Sequence, residues 1–204
     1  FDTWYAEEAA VLEELNGQSQ ASDKVFDDVD ANAWYADAVQ YCVDRGIMSG
    51  YGNGKFGPND PVTAAQLCQI MFNNGLNEDE YLYDILNIDH WAKTAVGWCT
   101  YNNLILDYDI EENGVVTTSK LDQGLTRQQA IAALARLAGF KGIAPTGSVP
   151  SIPDLMDINY RYRDTIKLAY QYGLTSGVDN TGRFSPESSV TRAQVCQMMY
   201  NMGW

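Results

Sequence analysis

Apolar residues recur along the chain at the three-to-four-residue period of a helix, in three pairs of short stripes. These pairs predict an all-α fold, mostly helical, with three similar units of two short helices each. The stripes lie near residues 34–45 and 63–75, near residues 91–103 and 126–139, and near residues 166–174 and 191–199.

Each second stripe follows the same short motif: an aliphatic residue, Thr, two variable residues and Gln. The copies span residues 62–66, 125–129 and 190–194. The Thr hydroxyl and the Gln side chain of such a motif exchange hydrogen bonds with backbone N–H groups, so each copy is predicted to begin a helix with a capping box. Arg127 and Arg192 follow the Thr in two copies, whereas the first copy has Ala64. Recurrence at 63 and 65 residues predicts a repeat architecture.

The connection between the paired helices differs among the units. In the first unit, residues 49–58 are rich in Gly and end in Pro, which favours tight turns over helix. Residues 176–186 of the third unit repeat the Ser-Gly pair and the Gly-x-Phe-x-Pro ending of that turn. The middle unit has a longer loop, residues 107–125, and Asn103 where the first unit ends its helix with Gly46. We therefore predict that the middle unit is the divergent one.

The repeats divide the chain into four segments. We assign an N-terminal helix and linker to residues 1–24, the first repeat to 25–76, the divergent second to 77–140, and a linker with the third to 141–204. The N-terminal helix is predicted because Trp4–Glu7 resembles the start of the first repeat and its apolar positions continue helically.

The charge balance excludes several classes of partner. The chain has 13 Lys and Arg against 27 Asp and Glu, a net charge of −14, which repels nucleic acid. It contains no apolar run of about 18–20 residues, so membrane insertion is not expected. With one histidine, His90, a His-based metal site or catalytic triad is not expected either, and we predict no cofactor.

The four cysteines occupy two repeat positions. Cys42 and Cys99 share one of them, and Cys68 and Cys196 share the other. At the first position the third unit has Ala169, and at the second position the second unit has Ile131. This exchange predicts small apolar core sites with free thiols. The alternative is a disulfide between Cys42 and Cys68, within the first unit.

Several motif elements together resemble the S-layer homology domain, over residues 26–204. They are Phe26–x–Asp28–Val29, Trp34, Gly46–Ile47, Gly50–Tyr51–Gly52–x–Gly54–x–Phe56–x–Pro58 and Thr191–Arg192–Ala193–Gln194. The resemblance implies a pseudo-threefold, three-pronged body around a central helical bundle. It also implies a secreted, non-catalytic module that anchors a protein to the cell wall of a Gram-positive-type bacterium. Its grooves between repeats would bind a secondary cell-wall polysaccharide, often one that carries pyruvate ketals.

Residue chemistry agrees with such a site. An Arg at a helix start places guanidinium donors beside free backbone N–H groups, which suits a carboxylate on a sugar, and Trp faces suit stacking on a pyranose ring. The other interpretations are salt bridges for the Arg residues and core packing for the Trp residues. The predicted ligand-binding residues are Arg127, Arg192, Trp34, Trp91, Asp28, Gly50, Gly177, Thr126 and Thr191.

The chain departs from the family pattern in ways that limit the site. Gln66, Gln129 and Gln194 stand where the family motif has Glu, and Ala64 stands where it has Arg, so at most two grooves have their Arg. The alternative function is a protein-interaction module of a cell-surface assembly, with drifted grooves that dock other surface proteins. A glycosidase is not favoured, because no pair of acidic residues recurs in an apolar setting.

Overall fold

The structure, a computed structural model, describes residues 26–75 and 86–204. The helix predicted within residues 1–24 lies outside the described residues. The described part is mostly helical, as the apolar stripes predicted. Its elements are α1 (Ala36–Asp44), α2 (Ala64–Asn74), α3 (Lys93–Tyr101), α4 (Asp107–Ile110), β1 (Glu111–Glu112), β2 (Val115–Val116), α5 (Thr118–Leu121), α6 (Arg127–Phe140), α7 (Arg163–Gln171) and α8 (Arg192–Met202).

The long loop of the middle repeat has secondary structure that the stripes did not predict. Two one-turn helices, α4 and α5, flank a small antiparallel hairpin of β1 and β2. Its turn residues, Asn113 and Gly114, have φ angles of 55° and 79°. An Asn-Gly pair with positive φ at both positions is the favoured two-residue hairpin turn. This dipeptide was the local signal that the sequence analysis missed.

Two predicted boundaries were wrong. Helix α6 does not end at Gly139 but continues to Phe140, and Gly142 takes the left-handed conformation with a φ of 72°. The helix passes Gly139 by one residue because the buried stripe continues through Ala138, and packing outweighs the low helix propensity of Gly. Residues 26–29 form a turn and not an extended piece, with the Val29 N–H donating to the Phe26 carbonyl at 3.3 Å.

The predicted capping boxes are present at the start of α2, α6 and α8. In α2 the Gln66 N–H donates to Thr63 Oγ1, and the Thr63 N–H donates to Gln66 Oε1, both at 3.2 Å. In α6 the Gln129 Oε1 accepts from the Thr126 N–H at 2.8 Å. The Thr and Gln of the motif therefore serve the fold, as predicted.

The segments that precede these three helices pair with one another. The Val62 N–H donates to the Val190 carbonyl, and the Val62 carbonyl accepts from the Leu125 N–H, both at 3.0 Å. Each segment thus contacts the other two and ties the repeats together at one place. Isolated antiparallel bridges join Pro61 with Thr191, Thr63 with Gly124, and Thr126 with Ser189.

Helix packing follows the same cycle. Helix α2 of the first repeat packs on α3 of the second, α6 of the second packs on α7 of the third, and α8 of the third packs on α1 of the first. One continuous core of buried apolar side chains joins all three repeats. This cycle is the pairing that a pseudo-threefold body requires, and the three-pronged shape itself stays a prediction.

The cysteines are free and buried, as predicted. The alternative pairing within the first repeat was wrong, because each cysteine faces another repeat. Cys42 Sγ lies 3.7 Å from the carbonyl oxygen of Cys196, and Cys99 Sγ lies 3.7 Å from that of Cys68. The two repeat positions therefore meet across the interfaces between repeats.

An aspartate holds the Gly-rich turn in the first and third repeats. Asp28 accepts the N–H groups of Phe56 and Gly57, each at 2.8 Å, and Asp154 accepts those of Phe184 and Ser185 in the same way. Burial alone would raise the pKa of both carboxyls. The backbone donors outweigh burial, so the pKa of each aspartate lies below its ordinary value.

We expect Asp28→Asn to lower the free energy of unfolding at pH 7 by about 2 kcal/mol, because the amide cannot accept both N–H groups. The lowered pKa means that this contribution is present above the unfolded-state pKa, near 3.9 for Asp, and is lost as the pH falls through the folded-state pKa. Urea unfolding at pH 7 and in acid measures it. Exposed Glu112→Gln is the control, and a deficit that persisted unchanged in strong acid would contradict the assignment.

Candidate functional site

A groove of about 700 Å³ opens where the three repeats meet, and we name it the Arg127 groove after the arginine in its wall. Helix α8 and the Ser176–Gly177 turn of the third repeat line one side. The second repeat contributes Arg127, and the first repeat contributes Trp34. Two predicted ligand-binding residues that are far apart in sequence therefore meet beside a third, Gly177.

A second, smaller groove of about 200 Å³, the Arg192 groove, is built in the same way. Helix α2 and the Ser49–Gly50 turn of the first repeat line it. Arg192 comes from the third repeat, and Trp91 comes from the second. In both grooves one repeat supplies the helix and turn, the repeat before it in the cycle supplies Arg, and the repeat after it supplies Trp.

The tryptophans lie at the surface and not in the core. Trp34 is 64% exposed and Trp91 is 62% exposed. Each lines its groove, and both hold these positions on the turn immediately before a first helix. Large exposed aromatic side chains beside a concave polar surface are typical of a binding site. The alternative interpretation, that Trp34 and Trp91 pack in the core, is therefore wrong.

Arg127 is buried, and no carboxylate of the described residues forms an ion pair with it. It is 4% exposed, its Nη2 donates to Thr175 Oγ1 at 2.9 Å, and its guanidinium lies 5.4 Å from the Phe184 ring centroid. Its Nε has no hydrogen-bond partner. Burial lowers the pKa of this guanidinium, yet an Arg stays charged at pH 7. The groove wall therefore contains an uncompensated positive charge.

Arg192 is equally buried but better bonded, at 5% exposure. Its Nε donates to the Phe56 carbonyl at 2.9 Å, and its Nη2 donates to the Ser49 carbonyl at 2.6 Å. The guanidinium also stacks near the rings of Phe56 and Tyr51. Within residues 26–75 and 86–204, neither Arg127 nor Arg192 forms an ion pair, so the described residues do not support the salt-bridge interpretation.

The backbone N–H groups at the helix starts are not free, contrary to our expectation. The Arg127 N–H donates to the Ser188 carbonyl at 2.7 Å, and the Arg192 N–H donates to the Asp60 carbonyl at 3.0 Å. The next N–H groups donate to the carbonyls of Pro186 and Pro58. The pairing between repeats has used these donors, so an anion in either groove meets side chains and not a bare helix end.

A Gln-Asn pair on the second helix completes each polar wall, and the sequence analysis missed it. Gln197 Nε2 donates to Asn201 Oδ1 at 2.8 Å in the Arg127 groove, and Gln69 Nε2 donates to Asn73 Oδ1 at 2.7 Å in the Arg192 groove. The signal was present, because Gln and Asn stand at the same distances from the capping Thr in both repeats.

The remaining predicted residues have structural roles that are now visible. Gly50 lets the backbone pack closely, since a Cβ there would lie 2.2 Å from the Phe26 ring. Gly177 has a φ of 102°, which favours Gly. Asp28 clamps the turn that carries Gly50, and Thr126 and Thr191 cap α6 and α8. These residues support the grooves from behind or at their edges.

The corresponding place in the middle repeat, the middle site, is built from different residues, and a cavity of about 150 Å³ lies there beside Asp109 and Gln129. Asp109, which is buried, accepts from the Tyr162 hydroxyl and from Gln129 Nε2. Burial raises the pKa of this carboxyl despite these donors. Arg161 stands at the Trp position of the cycle, and its guanidinium lies 4.6 Å from the Tyr108 ring centroid. With Ala64 at the Arg position, this site has neither groove residue.

Other classes of site find no support in the described ranges. No group of three or more His, Cys, Asp or Glu side chains among them could hold a metal ion. No helix found there combines the length and apolarity needed to cross a membrane.

We expect Arg127→Met to change the free energy of unfolding by less than about 1 kcal/mol, because the lost hydrogen bond to Thr175 is offset by removal of a buried charge. Arg192→Met should instead cost about 2–3 kcal/mol, since it leaves the carbonyls of Ser49 and Phe56 without their donors. Chemical denaturation of both variants measures the difference. Equal losses would contradict this separation of roles.

Comparison with known proteins agrees with the repeat analysis at both ends of the described chain. The family model of the S-layer homology domain matches residues 25–68 and 159–196, in the first and third repeats. The second repeat stays a prediction from internal similarity.

A similar protein is the surface-layer 125 kDa protein of Lysinibacillus sphaericus, which is 25% identical over 166 residues. The alignment covers 79% of this chain but 14% of that relative, so the chain corresponds to a small part of it. Two segments of the chain thus match the S-layer homology domain, and most of its length is similar to part of a surface-layer protein.

Proposed function

We propose that this chain is a non-catalytic anchoring module of the bacterial cell surface, and that its two open grooves bind an acidic cell-wall polysaccharide. The family match and the surface-layer relative support the anchoring role. The ligand class is argued from the grooves themselves.

The observation that carries the proposal is the state of Arg127. A buried charge without a compensating partner is costly, and the cost is removed when an anion binds beside it. Arg127 lines an open groove, and its Nε, which is enclosed by protein, lacks a partner among the described residues. A carboxylate is planar and accepts two parallel N–H bonds from a guanidinium, which makes it the suitable anion.

The rest of the groove suits a sugar. The exposed Trp34 ring offers an apolar face for stacking on a pyranose ring. The amides of Gln197 and Asn201 and the turn at Ser176 offer donors and acceptors for hydroxyl groups. The Arg192 groove presents the same set of groups, so both grooves would accept the same repeating unit of a polymer.

The net charge of −14 limits how the polymer is recognised. Long-range attraction to an acidic polysaccharide is absent, so affinity has to come from contacts inside the grooves. Since the middle site has neither the Arg nor the Trp of the two grooves, the module would bind through those two grooves. Two weak sites on one polymer gain avidity without any new contact.

The finer form of the proposal is a secondary cell-wall polysaccharide of a Gram-positive-type wall, with pyruvate ketals as the carboxylates. Pyruvate ketals and uronic acids share the carboxylate that Arg127 would bind. Competition with each of the two sugar classes distinguishes them.

We expect the chain to sediment with purified wall sacculi and to lose this binding when the secondary polymers are stripped from them. Trp34→Ala and Trp91→Ala should each weaken binding about tenfold, near 1.4 kcal/mol, and the double variant should lose more than either. All three should keep the unfolding free energy, because these rings are exposed.

Tyr160→Ala is the matched control, since Tyr160 is 71% exposed but lines neither of the two grooves. Binding of the wild type to native and stripped sacculi alike would rule out the polysaccharide. So would a Tyr160→Ala loss as large as that of the tryptophan variants. Failure of every wall fraction, with capture of a defined surface protein instead, would favour the protein-interaction alternative.

The carboxylate is tested separately with Arg127→Met. We expect this variant to bind native sacculi more weakly than the wild type, and to equal the wild type on sacculi whose carboxyl groups have been amidated. The physical reason is that the guanidinium acts only on the anion. If the wild type bound amidated sacculi more tightly than Arg127→Met by the same factor as native sacculi, carboxylate recognition would be contradicted.

A further inference from the structure

All four cysteines of the chain lie in two facing pairs, and each pair spans two repeats. Cys42 on α1 lies opposite Cys196 on α8, with Cys42 Sγ 3.7 Å from the Cys196 carbonyl oxygen, while Cys196 Sγ lies 3.3 Å from Met48 Sδ. Cys68 on α2 lies opposite Cys99 on α3 in the same way, with Cys99 Sγ 3.7 Å from the Cys68 carbonyl oxygen.

The interface between the second and third repeats has no cysteine at either of these two positions. At the positions that correspond to Cys196 and Cys42, helices α6 and α7 have Ile131 and Ala169. An apolar pair therefore fills this position of the fold without sulfur. In the two other interfaces both partners are cysteine, so no thiol of the chain is left without a facing thiol.

We propose that these pairs are modification sites, and that the mature protein carries the disulfides Cys42–Cys196 and Cys68–Cys99. In each step two thiols lose two protons and two electrons and form one S–S bond. The electrons pass to a disulfide-type oxidant, such as oxidised glutathione or the disulfide of an oxidoreductase, which is reduced to two thiols. To reach S–S bonding distance, about 2.05 Å, the two thiols of each pair rotate towards each other, and Cys196 Sγ leaves its contact with Met48 Sδ.

Burial determines when the reaction occurs. All four side chains are 0% exposed, and desolvation together with the facing thiol raises the pKa of the Cys99 and Cys196 thiols. The thiolate is the reacting form, so the closed protein reacts slowly with an oxidant. The bonds therefore form while the repeats assemble, in an oxidising compartment, and are shielded from reductants afterwards.

The connectivity has a consequence for the fold. Cys42–Cys196 joins the first repeat to the last, and Cys68–Cys99 joins the first repeat to the second. Two of the three interfaces in the cycle become covalent. A cross-link between distant residues restricts the unfolded chain most, so the oxidised protein is more stable than the reduced one. This inference is independent of the polysaccharide ligand.

The test is to refold the 204-residue chain from denaturant in a glutathione redox buffer, block free thiols with iodoacetamide, and map the peptides without reduction. We expect the Cys42–Cys196 and Cys68–Cys99 peptides to be cross-linked. Before alkylation, the intact mass should be about 4 Da below that of the chain refolded in dithiothreitol, since each disulfide releases two hydrogens. The melting temperature of the oxidised form should be higher by about 10 °C.

A matched control places the apolar pair of the interface between the second and third repeats at the interface between the first and third. The double variant Cys42→Ala with Cys196→Ile reproduces the Ala169 and Ile131 pair, and should fold and form the Cys68–Cys99 bond alone. Four alkylated cysteines in the wild type would overturn the proposal. Either of the other two pairings would overturn it as well, as would oxidised and reduced forms with equal melting temperatures.

Discussion

The fold depends on the backbone pairing of the three short segments that precede α2, α6 and α8. Each segment bonds to the other two, through contacts such as the Val62 N–H to the Val190 carbonyl at 3.0 Å. A helix start leaves several N–H groups without intrahelical partners, and here neighbouring repeats satisfy them. The Arg127 N–H, for example, donates to the Ser188 carbonyl. A repeat alone would leave these donors unpaired, so the repeats fold as one body.

This constraint also determines what the grooves can use. Because the N–H groups at the helix starts are occupied, the first-turn arginines are the cationic groups that remain for a ligand. Arg192 donates two N–H groups to carbonyls of the Ser49–Phe56 turn and so fixes the shape of one groove. Arg127 Nε, in contrast, has no hydrogen-bond partner among the described residues. The Arg of the motif therefore has a mainly structural role in one repeat and is more available to a ligand in the other. The Arg127 groove is the better candidate for the tighter site.

The sequence predicted what is local and missed what depends on a neighbouring repeat. The Thr-x-x-Gln step predicted the capping boxes, and the repeated apolar stripes predicted α1–α3 and α6–α8, because caps and stripes act within one helix. For Trp34 the sequence left two roles open, ligand binding and core packing, because the exposure of this side chain depends on which repeat lies beside it. Nor did any local pattern indicate that Asp109 in the middle site would accept a hydrogen bond from Tyr162, a residue of the next repeat.

Helix α8 belongs to both grooves, and this couples binding to assembly. Its first residue, Arg192, lines the groove of the first repeat, while Gln197 and Asn201 on its later turns line the groove of the third. The same helix packs on α1, at the joint between the first and last repeats. A ligand held in either groove binds the closed cycle and not the open one. By mass action it therefore stabilises the docking of the third repeat on the first.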